Sequence, residues 1–364
     1  MENKYSILFS KKSPKIKLIK NNKSINFGLS ILKLILSFLV VTHHNFIKKT
    51  TNNKCILYLT KPRFLHVPSF FIISFYFTHK NFLSLDYKIL LKRLIRLLIP
   101  YIIWPIFFWE LNEYINRKYN KVYSNSFEDL KQQLLLANRF IFPLLFNLVL
   151  IIMTICFFII IFIFRKHSLF ILQIILILSY IIQYSGYNFN NFFVKNPYYN
   201  VRSYKSIHTS IPFAVTGYTL GYYNVLDIIQ KNKIKVCVFS YLIYNMIADY
   251  NIFTNIHSEN YYAGINLNIQ SICIIFIFSL FPSFLITNNI SNILIIRKFL
   301  IIITNYTGGI YYLHVPLKKY LKKYSTDIYN GTFLGLIKTY IIIYFICYIG
   351  MLIFGKTLLK YLFC

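Results

Sequence analysis

The chain has 364 residues, with 40 Lys and Arg against 10 Asp and Glu, a formal charge of +30, 57% hydrophobic residues and only 14% charged ones. A soluble chain carries about 25% charged residues, and uncharged runs such as Asn147–Phe164 and Ser168–Ser185 approach the roughly 20 apolar residues that span a bilayer core. These figures exclude a soluble globular enzyme, a disordered chain and a disulfide scaffold. They also argue against a nucleic-acid partner, because the basic residues fall in short clusters between apolar runs, where topology and lipid headgroups account for them.

Residues 1–26 are polar and basic, with seven lysines from Lys4 to Lys23. They read as a retained cytoplasmic tail; the run behind them is too long for a signal peptide and has no small-residue cleavage site. Apolar runs follow at 27–47, 64–79, 99–115, 142–164, 168–185, 207–223, 235–254, 263–287, 293–317 and 333–355. The pattern predicts an all-α polytopic transmembrane bundle of about ten membrane-spanning helices, one membrane domain over 27–357, and a short tail over 358–364. The lysines ahead of the first run place the N-terminus in the cytoplasm. Six cysteines show neither a CxxC pair nor zinc-ligand spacing, so no metal site is expected.

Within the first run, Lys33 is a cation inside an apolar helix, which costs about 2.5–3.5 kcal/mol on insertion scales and calls for a partner or a wet cavity. His44 stands eleven residues further on. At about 100° per residue it is only about 20° from the Lys33 face, roughly 16 Å along the axis, whereas His43 points away from it. The plain alternative is that Lys33 snorkels to the headgroups and both histidines sit at the far interface. Further along, Lys92, Arg93 and Arg96 precede Pro100. Arg93 and Arg96 are three apart on one helix side, where two guanidinium forks suit phosphate oxygens; an ordinary positive-inside cluster is the plain alternative. His314, near the outer end of the ninth run, faces the same side of the membrane as His44 in this topology.

Together these stretches resemble the acyltransferase-3 family of membrane acyltransferases, which includes bacterial polysaccharide O-acetyltransferases. The resemblance runs from about Phe27 to Phe354. It rests on Lys33, ten residues, then His44; on Phe70-Phe71-Ile-Ile-Ser74-Phe75; on Arg93, Arg96 and Pro100; and on Ile310-Tyr311-Tyr312-Leu313-His314-Val315-Pro316. There are two departures. Lys33 stands where the family has arginine, losing a bidentate fork. Phe75 stands where it has glycine, filling space.

The resemblance implies an acyl group, usually acetyl, delivered by acetyl-CoA (acyl-CoA) as co-substrate, and a hydroxyl of a glycan or glycolipid as acceptor across the lipid bilayer. It implies His44 as general base or transient acyl carrier, Lys33 near the acyl path, and His43 and His314 as orienting residues. Arg93, Arg96 and Lys92 are the expected coenzyme contacts. A transporter of a polar or lipid-linked solute, and a degenerate member of the family, are the competing expectations.

Overall fold

The computed structural model describes residues 15–46, 65–118, 143–193, 207–253, 265–285, 300, 302–321 and 333–363. Among the described residues there is no strand. The helices are α1 (Lys15–Phe46), α2 (His66–Leu83), α3 (Tyr87–Lys118), α4 (Pro143–Phe164), α5 (Ser168–Phe193), α6 (Ile207–Tyr222), the short α7 (Val225–Ile229), α8 (Lys233–Phe253), α9 (Ile265–Leu285), α10 (Thr307–Leu321) and α11 (Phe333–Phe354). A 3-10 segment, Leu358–Leu362, follows.

Each apolar run of the sequence overlaps one of these helices, but several boundaries shift. Helix α1 begins at Lys15, so the second half of the basic tail is helix; no proline or glycine interrupts residues 15–27 and lysine is a good helix former. Residues 1–14 lie outside the described residues. Helix α3 begins at Tyr87 rather than near 99, because Asp86 caps it: its carboxylate accepts from the backbone N–H of Lys88 (3.0 Å) and Ile89 (3.2 Å), satisfying donors that a helix start leaves open. The whole basic cluster therefore rides on the first turns of the helix that carries Pro100 and Pro105.

Two stretches, Phe146–Gln183 and Phe333–Phe354, are long and apolar enough by themselves to cross a membrane. The first is not one rod: Arg165 has φ 40°, and a 3-10 turn at Arg165–His167 separates α4 from α5, which pack on each other. Phe27–Thr42 and Ile265–Leu280 are shorter apolar helices. Among the other described helices, α6 and α10 are only 16 and 15 residues long. Some of the longer ones carry polar and charged groups that face other helices, such as Arg93 in α3 and Asn268 in α9, the latter donating to Tyr180 Oη (2.7 Å) and Thr216 Oγ1 (2.8 Å). Ile155, Ile159, Phe162 and Ile163 on α4, Ile177 and Ile181 on α5, and Leu352 and Ile353 on α11 are exposed. Such an apolar exterior suits lipid rather than water.

Helix α2 is the centre of the packing. Phe71, Ile72, Ile73 and Phe75 on it are at most 1% exposed. Its closest neighbour is α6, and the approach depends on Gly217 and Gly221, four residues apart. A Cβ at Gly217 would lie 2.3 Å from the Ile72 carbonyl oxygen, and one at Gly221 would lie 2.3 Å from His79 Nδ1. Small residues at this spacing let membrane helices meet backbone to backbone.

Residues 358–363, within the segment expected as a short tail, pack against the helices. Tyr361, Leu362 and Phe363 are buried, Phe363 among them at 8% exposure, in a seat formed with α3, α10 and α11. The segment is too short for periodicity to announce it, and its partners are far away in sequence.

Candidate active site

Arg93 projects from the second turn of α3 into the space between α2 and α4. Its Nε donates to Thr154 Oγ1 (3.1 Å), its Nη1 to Thr78 Oγ1 and its Nη2 to Ser74 Oγ (2.9 Å). Ser74 and Thr78 lie four apart on α2, so helix geometry puts both hydroxyls on one face. The Phe75 ring lies against the guanidinium, 5.4 Å from Cζ. Three of five N–H donors are thus engaged by neutral oxygens, and among the described residues no carboxylate accepts from Arg93. Hydroxyls orient a guanidinium; they do not neutralise it.

Phe75, the departure from the family glycine, is fully buried. It packs on Phe157 (4.7 Å between centroids) and stacks on Phe82 (6.0 Å). It fills the space that a glycine would leave and becomes part of the wall behind Arg93.

Lys33 is half-buried on α1, with Nζ 4.9 Å from the centre of the Phe77 ring. The ring faces supply a weak negative potential to a cation. Arg96 is exposed, lies over the Tyr361 ring at 5.4 Å, and is close enough to both Lys33 and Arg93 for its charge to act on each. Lys33, Arg93 and Arg96 therefore gather beside the C-terminal half of α2. Lys92 and Lys88 are exposed on the same turns of α3. Arg93 and Arg96 differ in their surroundings. Residues three apart sit about 60° from one another around a helix; Arg93 turns inward to the hydroxyls and Arg96 outward to the chain end.

His314 is 1% exposed on α10. Its Nδ1 is 2.7 Å from the Tyr311 carbonyl oxygen, which fixes the ring against its own helix. Tyr311 in turn touches Phe70 (6.2 Å) and Phe146 (5.1 Å), so the family-like C-terminal motif meets α2 at Phe70. Phe77, beside Lys33, is seven residues further along the same helix, about 10 Å. His43 and His44 lie in the last turn of α1; their side chains are outside the described residues.

Some polar residues that build this region carry no motif. Tyr312 donates to Asn147 Oδ1 (3.1 Å), and Asn147 Nδ2 donates to the Leu97 carbonyl (3.3 Å), next to the break that Pro100 makes in the α3 hydrogen-bond ladder. Asn147 and Thr154 share α4 at a spacing of seven, two turns on one face. Their polarity inside the otherwise apolar run 147–164 was the one available signal.

The geometry therefore consists of a cationic cluster beside the C-terminal half of α2, with no carboxylate pairing to it among the described residues, and an imidazole-bearing helix beside its N-terminal half. No curated protein and no solved structure matches the chain. A family model described as an acyltransferase domain matches residues 26–356, a stretch that includes Lys33, His44, Arg93, Arg96 and His314. Since that match covers nearly the whole chain, the protein belongs to the acyltransferase-3 family.

Proposed function

We propose that this family member is a multi-pass membrane O-acyltransferase that moves an acyl group, with acetyl the first to test, from acyl-CoA at the cytoplasmic face to a hydroxyl of a glycan or glycolipid on the other side. The observation that carries the proposal is the clustering of Lys33, Arg93 and Arg96 without a carboxylate among the described residues. Gathered like charges need an anion, and the phosphates of coenzyme A supply several. In this reading Arg96 and Lys92, both exposed, meet the phosphates first. Arg93 holds the field in place from behind, and Lys33 lies toward the acyl path, where its charge favours a developing oxyanion.

The transfer itself conserves atoms simply. The acceptor hydroxyl oxygen bonds to the thioester carbonyl carbon while its proton passes to the His44 imidazole; the carbon–sulfur bond then breaks, and the leaving thiolate takes up a proton. An imidazole near its ordinary pKa of about 6.5 is suited to both halves. His43 and His314 have orienting roles. The N-terminus is cytoplasmic in this arrangement, which puts the basic first turns of α3 on the donor's side.

The test compares the wild-type protein with His44→Ala in membranes supplied with labelled acetyl-CoA and measures label in glycans and glycolipids. Incorporation should fall at least a hundredfold, the usual scale of a lost general base. Equal incorporation in the two proteins removes His44 from the reaction.

A further inference from the structure

Residues 358–363 have no place in the reading above, yet they are tightly built in. After α11 the chain turns at Gly355, and Thr357 restarts it: Thr357 Oγ1 accepts from the Leu359 N–H (3.2 Å) and donates to the Phe354 carbonyl (2.9 Å). Trp104 Nε1 on α3 donates to the Leu362 carbonyl (3.3 Å). Phe363 stacks on Phe354 (5.9 Å, 3°) and meets Trp104 edge-on (5.9 Å, 86°). Two glycines make the seat. A Cβ at Gly309 would lie 2.7 Å from the Phe363 carbonyl oxygen, and one at Gly350 would lie 2.4 Å from the Phe363 ring. Three helices converge on these six residues, and what they hold up is Tyr361, whose ring lies under the Arg96 guanidinium. Lys360 Nζ lies over the same ring, also at 5.4 Å.

We infer that Leu358–Phe363 is a seated peg whose Tyr361 positions Arg96 for the anionic end of the donor. The inference rests on the acyl-CoA reading for the identity of that anion. A cation held over an aromatic face surrenders no N–H donor to a hydrogen bond, and among the described residues none accepts from Arg96. The ring thus fixes the charge in space and leaves the planar fork for phosphate oxygens. Without the ring the exposed side chain samples its full rotamer set, and ordering it falls on the donor at each binding event. Tyr361 is a positioning residue; it does not touch the reacting atoms.

The experiment measures binding of coenzyme A to the purified full-length protein in lipid nanodiscs, with melting temperature recorded for every variant. Tyr361→Leu should raise Kd about three- to tenfold, the scale of a partly exposed cation–π contact. Tyr361→Phe, which keeps the ring, should stay within about twofold of wild type. In an Arg96→Ala background, Tyr361→Leu should add nothing further, because the two act as one unit. Equal effects of Leu and Phe, or full additivity with Arg96→Ala, overturn the inference. Should Tyr361→Leu fail to assemble, Tyr361→Trp keeps a larger ring: wild-type affinity supports positioning by the ring, and a loss matching Arg96→Ala overturns it. A wild-type protein that binds no coenzyme A refutes the donor reading, and coupling of Arg96 with Tyr361 in melting temperature alone then leaves the peg standing without that ligand; no coupling removes the peg as well.

Discussion

Replacing Phe75 by the glycine usual in the family separates two accounts of that position. If Phe75 obstructs a passage that relatives keep open, Phe75→Gly should raise activity at little cost. The structure argues the reverse. Phe75 is fully buried between Phe82, Phe157 and Arg93. Truncating a buried phenylalanine to alanine costs about 3–5 kcal/mol, and going from alanine to glycine inside a helix adds about 1 kcal/mol. The total of about 4–6 kcal/mol corresponds to a fall of roughly 8–12 °C in melting temperature, at about 2 °C per kcal/mol for a chain of this size. The assay is thermal unfolding of purified protein followed by fluorescence-detected gel filtration, paired with acyl transfer from labelled acetyl-CoA. Phe75→Leu, which keeps most of the volume and loses mainly the ring against Arg93, should fall by only about 1–2 kcal/mol. A melting temperature unchanged in Phe75→Gly, together with a gain in transfer, would refute the packing account.

Two further outcomes follow from the same geometry. Arg93→Lys retains the charge but reaches at most one of the hydroxyls of Ser74, Thr78 and Thr154; with hydrogen bonds to charged groups worth about 1.5–3 kcal/mol each, it should destabilise by about 3–6 kcal/mol, while Arg96→Ala should weaken donor binding with little change in melting temperature, and the reverse order of effects contradicts the division of labour between them. Asp227, on the short α7 beside Lys80, has its carboxyl pushed above the usual 3.8 by burial, with Lys80 opposing, so the folded state holds that proton more tightly than the unfolded state does; the penalty is absent below pH 3.8 and grows as pH rises through the raised value. Asp227→Asn should therefore raise the melting temperature at pH 7.5 and leave it unchanged near pH 3.5, and a gain confined to acid would show the sign to be wrong.

Much of the helical framework was legible because apolar runs impose helices through the backbone's need for internal hydrogen bonds in lipid. Helix ends were less so. Asp86 extends α3 by a turn-forming carboxylate that hydropathy does not register, and Lys15 starts α1 inside a stretch that charge alone marked as tail. At the site, the sequence identified Arg93 and Arg96 but not what each does, since their partners lie on other helices. Thr154 is 61 residues from Arg93, and Tyr361 sits almost at the other end of the chain from α3. Phe75 looked like a defect when compared with a motif and turned out to be a wall. Contacts of this kind depend on which helices are neighbours, and no local pattern encodes that.

The replacement of the family arginine by Lys33 can be understood in the same terms. A lysine gives up the rigid fork and offers a compact point charge on a flexible stem. Arg96 stands within electrostatic reach of it, and of Arg93 in turn, so forks are not scarce beside this part of α2; what a third arginine would add is bulk beside Phe77. Gathered like charges repel through a partly dehydrated medium, and these charges raise one another's energy whichever cation is used. Hydroxyls on Ser74, Thr78 and Thr154 orient Arg93 without cancelling that repulsion. A ligand carrying several negative charges relieves it at once, whereas a neutral solute leaves it unchanged. Under the proposed function, donor affinity should therefore be more sensitive to salt than acceptor affinity; equal salt dependence of the two would count against phosphate binding at the cluster.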